Sequence, residues 1–173
     1  MKEFLIVLFI VLGVYLLIIL LNIVFVISFY IIMKKHDKAV KIILKSKLDS
    51  LNNLKKLMIE KWNLHVDEEL IKLLDEVETT ISKKNYILEC DEAKKKLSYV
   101  KTNLSSVCDE HKEVTETDEY VLIIENVTQL DSIYRSHVIM YNADVLGYNY
   151  WIRFLPCRYI WLLLRFKTKS FIS

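Results

Sequence analysis

The chain has 173 residues, of which 53% are hydrophobic and 27% charged, and its formal net charge is +2. Two glycines and one proline exclude collagen-like, linker-rich and turn-rich sandwich architectures and leave long helices. The near balance of charge argues against wholesale nucleic-acid binding, so no nucleic acid is expected as a partner.

The first segment is the uncharged run from Phe4 to Met33, in which Asn22 and Ser28 are the only strongly polar side chains. At about 1.5 Å per residue it reaches roughly 45 Å, more than the ~30 Å hydrocarbon core of a bilayer, and so predicts a transmembrane helix over residues 4–33. A cleavable signal peptide has a shorter apolar region and a small-residue cleavage site, whereas Ile31, Ile32 and Met33 lead straight into Lys34 and Lys35. Before the run stands Lys2, offset by Glu3; after it come Lys34, Lys35, Lys38, Lys41, Lys45 and Lys47, with Asp37 the only acid among them. Because basic residues flanking a span stay on the cytoplasmic side, the expected topology is a short N-terminus outside and a cytoplasmic domain over residues 34–173 at the cell membrane. Cys90, Cys108 and Cys157 are an odd number in no metal or redox spacing, which fits a reducing compartment and a packing role.

Leu44, Leu48, Leu51, Leu54, Met58 and Trp62 then recur at helical spacing with no breaker behind them, so the membrane helix is expected to continue and to end near Trp62 to His65. A second helix starts at Asp67 as N-cap, with the stripe Leu70, Leu73, Leu74, Val77 and Ile81. Asn85 and Tyr86 mark a turn. A third helix carries Ala93, Leu97, Val100, Leu104 and Val107 at coiled-coil-like steps. The stretch from Asp109 to Asp118 has no apolar stripe and reads as a loop, with Thr117 or Asp118 capping the longest soluble helix. That helix holds Ile123, Val127, Leu130, Tyr134, Val138, Tyr141, Val145, Tyr148 and Ile152, and ends before Pro156. The predicted fold class is thus all-α: one transmembrane helix continuing into an antiparallel bundle of three to four long helices.

No convergent reactive set is visible. His36, His65, His111 and His137 stand singly, outside any HExxH or CxxC frame, and too few glycines exist for a phosphate loop; no catalytic, cofactor-binding or metal site is expected. Asn22 is a polar group in hydrocarbon and could meet a neighbouring helix, making it a candidate for self-association; because such bonds contribute only about 0.6 kcal/mol on average, a solitary, tolerated amide is the alternative. The pair Tyr141-Asn142 recurs as Tyr148-Asn149 after two helical turns. Buried asparagines of this kind set register and pairing, and tyrosines bury a ring while bonding the hydroxyl; a ligand-binding ladder is the alternative. Beyond, Tyr150, Trp151, Phe154, Tyr159 and Trp161 alternate with Arg153, Arg158, Arg165, Lys167 and Lys169. This is membrane-interface composition, and with Lys34 to Lys47 it offers cations to anionic headgroups, each contributing about 1 kcal/mol near a lipid surface. The same aromatics could instead cap the bundle. The apolar piece from Tyr159 to Leu164 is too short for a second crossing.

Tyr141-Asn142, Val145, Tyr148-Asn149, Ile152 and Pro156, followed by Ile160, Phe166, Lys167 and Phe171, stand in the order and spacing of the bacterial LemA family, which the chain resembles. The stretch from Leu44 to Leu54 is similar to that family's post-membrane motif, with Lys47 for an arginine, Leu48 for a tyrosine and Asn52 for a proline. Asp131 occupies a usual glutamate position, Val138 a usual arginine, and Leu155 the phenylalanine before the proline, while the middle from His65 to Val121 agrees only in being helical. The resemblance implies a divergent member with one N-terminal membrane helix and a long helical domain. The family has no settled biochemical function, and some relatives are associated with building intracellular membrane structures. The expected role is a membrane-tethered interaction or scaffold module with an unidentified protein partner or a second copy of itself, and the alternative is binding or shaping of anionic lipid membranes.

Overall fold

A computed structural model describes residues 2–82, 90–154 and 157–172. They form six helices: α1 (Lys2–Glu60), α2 (Glu68–Ser82), α3 (Cys90–Asp109), α4 (Lys112–Thr115), α5 (Asp118–Arg153) and α6 (Arg158–Leu163). Among the described residues there is no strand, and the fold class is all-α. The turn expected at Asn85 and Tyr86 lies outside the described residues, as does Pro156.

Helix α1 runs unbroken from the apolar segment into the amphipathic one, because nothing between Met33 and Leu44 removes a backbone donor or favours a left-handed residue. It stops slightly before the expected point. Asn63 takes the left-handed conformation (φ 51°), and the Leu64 amide turns back to the Met58 carbonyl at 2.8 Å, satisfying a helix-end acceptor. Asp67 then opens α2 by accepting the Glu69 amide at 3.2 Å.

The chain divides into two compact units. The unit made of residues 36–139 and 172–173 has its apolar core along the expected stripes: Leu44, Leu48, Leu51, Leu54 and Met58 of α1 are all buried. Antiparallel pairing of α1 with α5 follows from their cross-links, since Lys61 pairs with Glu119, Ser50 with Asn126, and Lys47 with Asp131. Helix α3 also runs antiparallel to α5, for Lys101 meets Thr128 and Cys90 meets Tyr134. In α3 the last core position is Cys108, with Val107 only half-buried, because a cysteine packs as a small hydrophobe and continues the step of four from Leu104. The expected loop after α3 contains a helical turn, α4, which buries Val114 and leaves Glu113 and Thr115 to solvent or part-exposed.

The other unit comprises residues 1–35 and 140–171. Its core is Val26, Tyr148, Ile152, Cys157 and Trp161, packed by Ile19, Ile23, Phe29, Tyr30 and Trp151. Here too α1 and α5 run antiparallel: Tyr30 lies near Tyr148, and Phe25 stacks on Trp151 with ring centroids 4.7 Å apart. Gly147 sits under Phe29, where a Cβ would meet the ring at 2.6 Å, so any larger residue here would push the Phe29 ring aside. N-terminal to this cluster, the residues from Phe4 to Ile18 leave their side chains exposed on every face of α1.

Candidate functional site

Asn22 is 1% exposed and lies among apolar side chains, where an unmet amide would be costly. Both ends of the amide are used. Its Nδ2 donates to the Trp151 carbonyl at 3.0 Å, and its Oδ1 accepts from the Trp161 indole at 2.6 Å. Partners for the amide are thus supplied within the same chain, and its satisfaction requires no second copy. The clamp joins the apolar run, the end of α5 and α6 at one point, with Cys157 packed beside it.

The Tyr-Asn repeat buries the Tyr141 and Tyr148 rings in the core and directs polar groups to the C-terminal tail. Tyr148 Oη donates to the Lys167 carbonyl at 3.3 Å and Tyr141 Oη to the Ser170 carbonyl at 3.4 Å. Asn149 grips Lys169 twice, donating from Nδ2 to its carbonyl at 2.9 Å and accepting its amide at Oδ1 at 2.8 Å. The ladder thus holds the non-helical C-terminal tail along α5, because a tail without backbone partners of its own takes them from side chains spaced along one helix face. Asn142 is half-buried on the same helix. If Asn149 holds the tail, Asn149→Ala removes two hydrogen bonds of about 0.5–1.5 kcal/mol each, and tryptic cleavage at Arg165 and Lys167 should accelerate by about tenfold, since proteolysis follows the population of the open form. An altered sedimentation coefficient with an unchanged cleavage rate would return the residue to helix pairing.

The basic residues fall into three groups. Lys34, Lys35, Lys38 and Lys45 on α1 are exposed, as are Arg153, Arg158, Arg165, Lys167 and Lys169, while Lys41 is half-buried. Lys34 and Lys169 come together over the Tyr30 ring, at 4.9 and 5.9 Å from its centroid. Lys47 departs from the expected headgroup-facing set: it is buried at 2% exposure and its Nζ bonds Asp131 Oδ1 at 2.6 Å, with Lys101 3.7 Å from the other carboxylate oxygen. Burial lowers the Lys47 pKa from its ordinary value, and Asp131 opposes that shift.

His36 and His137, read as single residues in the sequence, face each other with Nδ1 atoms 3.0 Å apart, one ring donating to the other. Nothing in the sequence pattern pairs them, because they stand on helices whose register was not yet fixed. No cluster of three or more His, Cys, Asp or Glu side chains able to hold a metal occurs among the described residues. Cys90, Cys108 and Cys157 are free and buried. Burial raises the thiol pKa of Cys90, and that of Cys108 to about 11, so these sulfurs stay protonated and poorly nucleophilic.

No protein-family model, no curated protein and no solved structure matches the chain. Among the described residues the fold is all-α, with one helix near the N-terminus long and apolar enough to cross a membrane.

Proposed function

We propose that this is a single-pass membrane protein, related to the LemA family, whose helical domain on the cytoplasmic side acts as an interaction or scaffold module and carries no catalytic chemistry of its own. The observation that supports the anchor is the environment of α1: the most apolar 18-residue window of this helix, with mean hydropathy 3.4, has none of its residues buried. A helix that is hydrophobic all round and has no protein cover needs lipid as its solvent. The charge step from Lys2 and Glu3 to the lysines after Met33 supports the N-outside orientation. The family reading gains support from the Lys47–Asp131 pair, because the two positions at which the resemblance shows lysine for arginine and aspartate for glutamate are the two partners of one ion pair. Exposure of Arg153 and Arg158 favours anionic headgroups as a second class of partner.

Topology is the decisive test. The native thiols are buried and report poorly, so the probe is Glu110→Cys at an exposed position after α3. A membrane-impermeant maleimide should label it only after permeabilisation, and labelling in intact cells would overturn the orientation and with it the cytoplasmic role.

A further inference from the structure

The apolar run has two different surroundings along its length. From Phe4 to Leu21 almost every side chain is exposed; at Asn22 the aromatic cluster begins, and from there Val26, Phe29 and Tyr30 have one face of α1 covered by α5 and α6. Residues 4–21 at about 1.5 Å each span roughly 27 Å, close to the ~30 Å of a hydrocarbon core, so the uncovered part alone is long enough to cross.

Helix α6 is two-faced. Trp161 points inward to the Asn22 clamp, whereas Tyr159, Leu162 and Leu163, at spacings of three and four, are 74%, 62% and 84% exposed. Such a patch of large apolar side chains marks a contact with something apolar. The clamp fixes its level along α1 at Asn22, next to the uncovered stretch. Beside Trp161 and Leu162 stand Arg153 and Arg158, both exposed. Two guanidinium groups sunk into hydrocarbon would each cost about 3 kcal/mol even on the most lenient insertion scale, whereas at the interface they meet phosphates while their stems lie along apolar surface.

We propose, on the footing of the membrane anchor above, that the bilayer edge lies at Asn22 rather than at Met33, and that α6 is a foot resting in the interface. The face of Tyr159, Leu162 and Leu163 enters the boundary between headgroups and acyl chains, and Arg153 and Arg158 hold lipid phosphates. The Asn22–Trp161 bond sets the depth of the foot, so the protein fixes how far α1 projects from the membrane.

The test uses the full chain in vesicles of phosphatidylcholine and phosphatidylglycerol, with bimane placed on single added cysteines at Leu12, Ile31 or Leu163. Leu163 is the most exposed of the large apolar residues, so its replacement leaves the fold intact. Lipids carrying a nitroxide near the headgroup should quench the probe at Leu163 more than lipids carrying it near the chain end, the order should reverse at Leu12, and Ile31 should be quenched by neither. A probe at Leu163 that emits as in water, or deep quenching at Ile31, would overturn the foot and return the edge to Met33. Loss of deep quenching at Leu12 would instead remove the anchor itself.

Discussion

Asp131→Asn is expected to destabilise the unit of residues 36–139 by about 3 kcal/mol, the low end of what removing one partner of a buried ion pair costs, because Asp131 is 32% exposed and water reaches it. The charge left behind is Lys47, whose side chain is 3% exposed. For a unit of about 100 residues this lowers the melting temperature by roughly 10 °C or more. Lys47→Met combined with Asp131→Leu should recover most of the loss, since neither charge then remains buried. The pH dependence has a definite sign. Lys47 has a folded pKa below its ordinary 10.5, so between the two values the unfolded chain binds more protons and stability rises with pH. Removing Asp131 takes away the influence that raises the Lys47 pKa, so the window widens toward neutrality. The deficit of Asp131→Asn relative to the wild type should therefore shrink as pH rises from neutral toward 10.5. Taking the difference cancels the opposite trend of the buried thiols, whose raised pKa values make stability fall as pH climbs through them. A deficit that is constant over this range would show that Lys47 is not the group left uncompensated.

Asn22→Leu has the second large effect. It leaves the Trp161 indole N–H and the Trp151 carbonyl without their partner, and each unmet buried group costs about 1–3 kcal/mol. Helix α6 should then detach, and trypsin should cut at Arg158 and Arg165 of the detergent-solubilised chain far faster than in the wild type. Trp161→Phe removes the donor alone and should give a smaller effect in the same direction. Should Asn22 serve self-association instead, the leucine variant would lose a crosslinked dimer while α6 kept its resistance to protease.

The long elements were legible because their signals are local. A breaker-free passage from Met33 to Leu44 predicts one helix, and Asp67 followed by Glu68 and Glu69 predicts the start of the next; both are found. Lys47 was missed through reading charge by position along the chain rather than by face. It stands three residues after Leu44 and four before Leu51, inside the buried stripe, and that spacing was the available signal. The role of the Tyr-Asn repeat was not legible, because a helix face with hydroxyls and amides two turns apart can serve another helix, a ligand or an extended tail, and only the course of residues 165–172 decides between them. Asn22 is legible as a polar group in an apolar run, but its partners stand 129 and 139 residues away in the chain, on segments that no local pattern brings to it. The short α4 carries too few residues to show a period.

The anchor is tested most directly by extraction of membranes with alkaline carbonate. The intact chain should stay with the lipid pellet, as an apolar helix without protein cover requires, and Leu12→Lys with Leu16→Lys should move it substantially to the supernatant by placing two charges at mid-bilayer depth, at about 3 kcal/mol each. Release of the wild-type chain by carbonate alone would contradict the account.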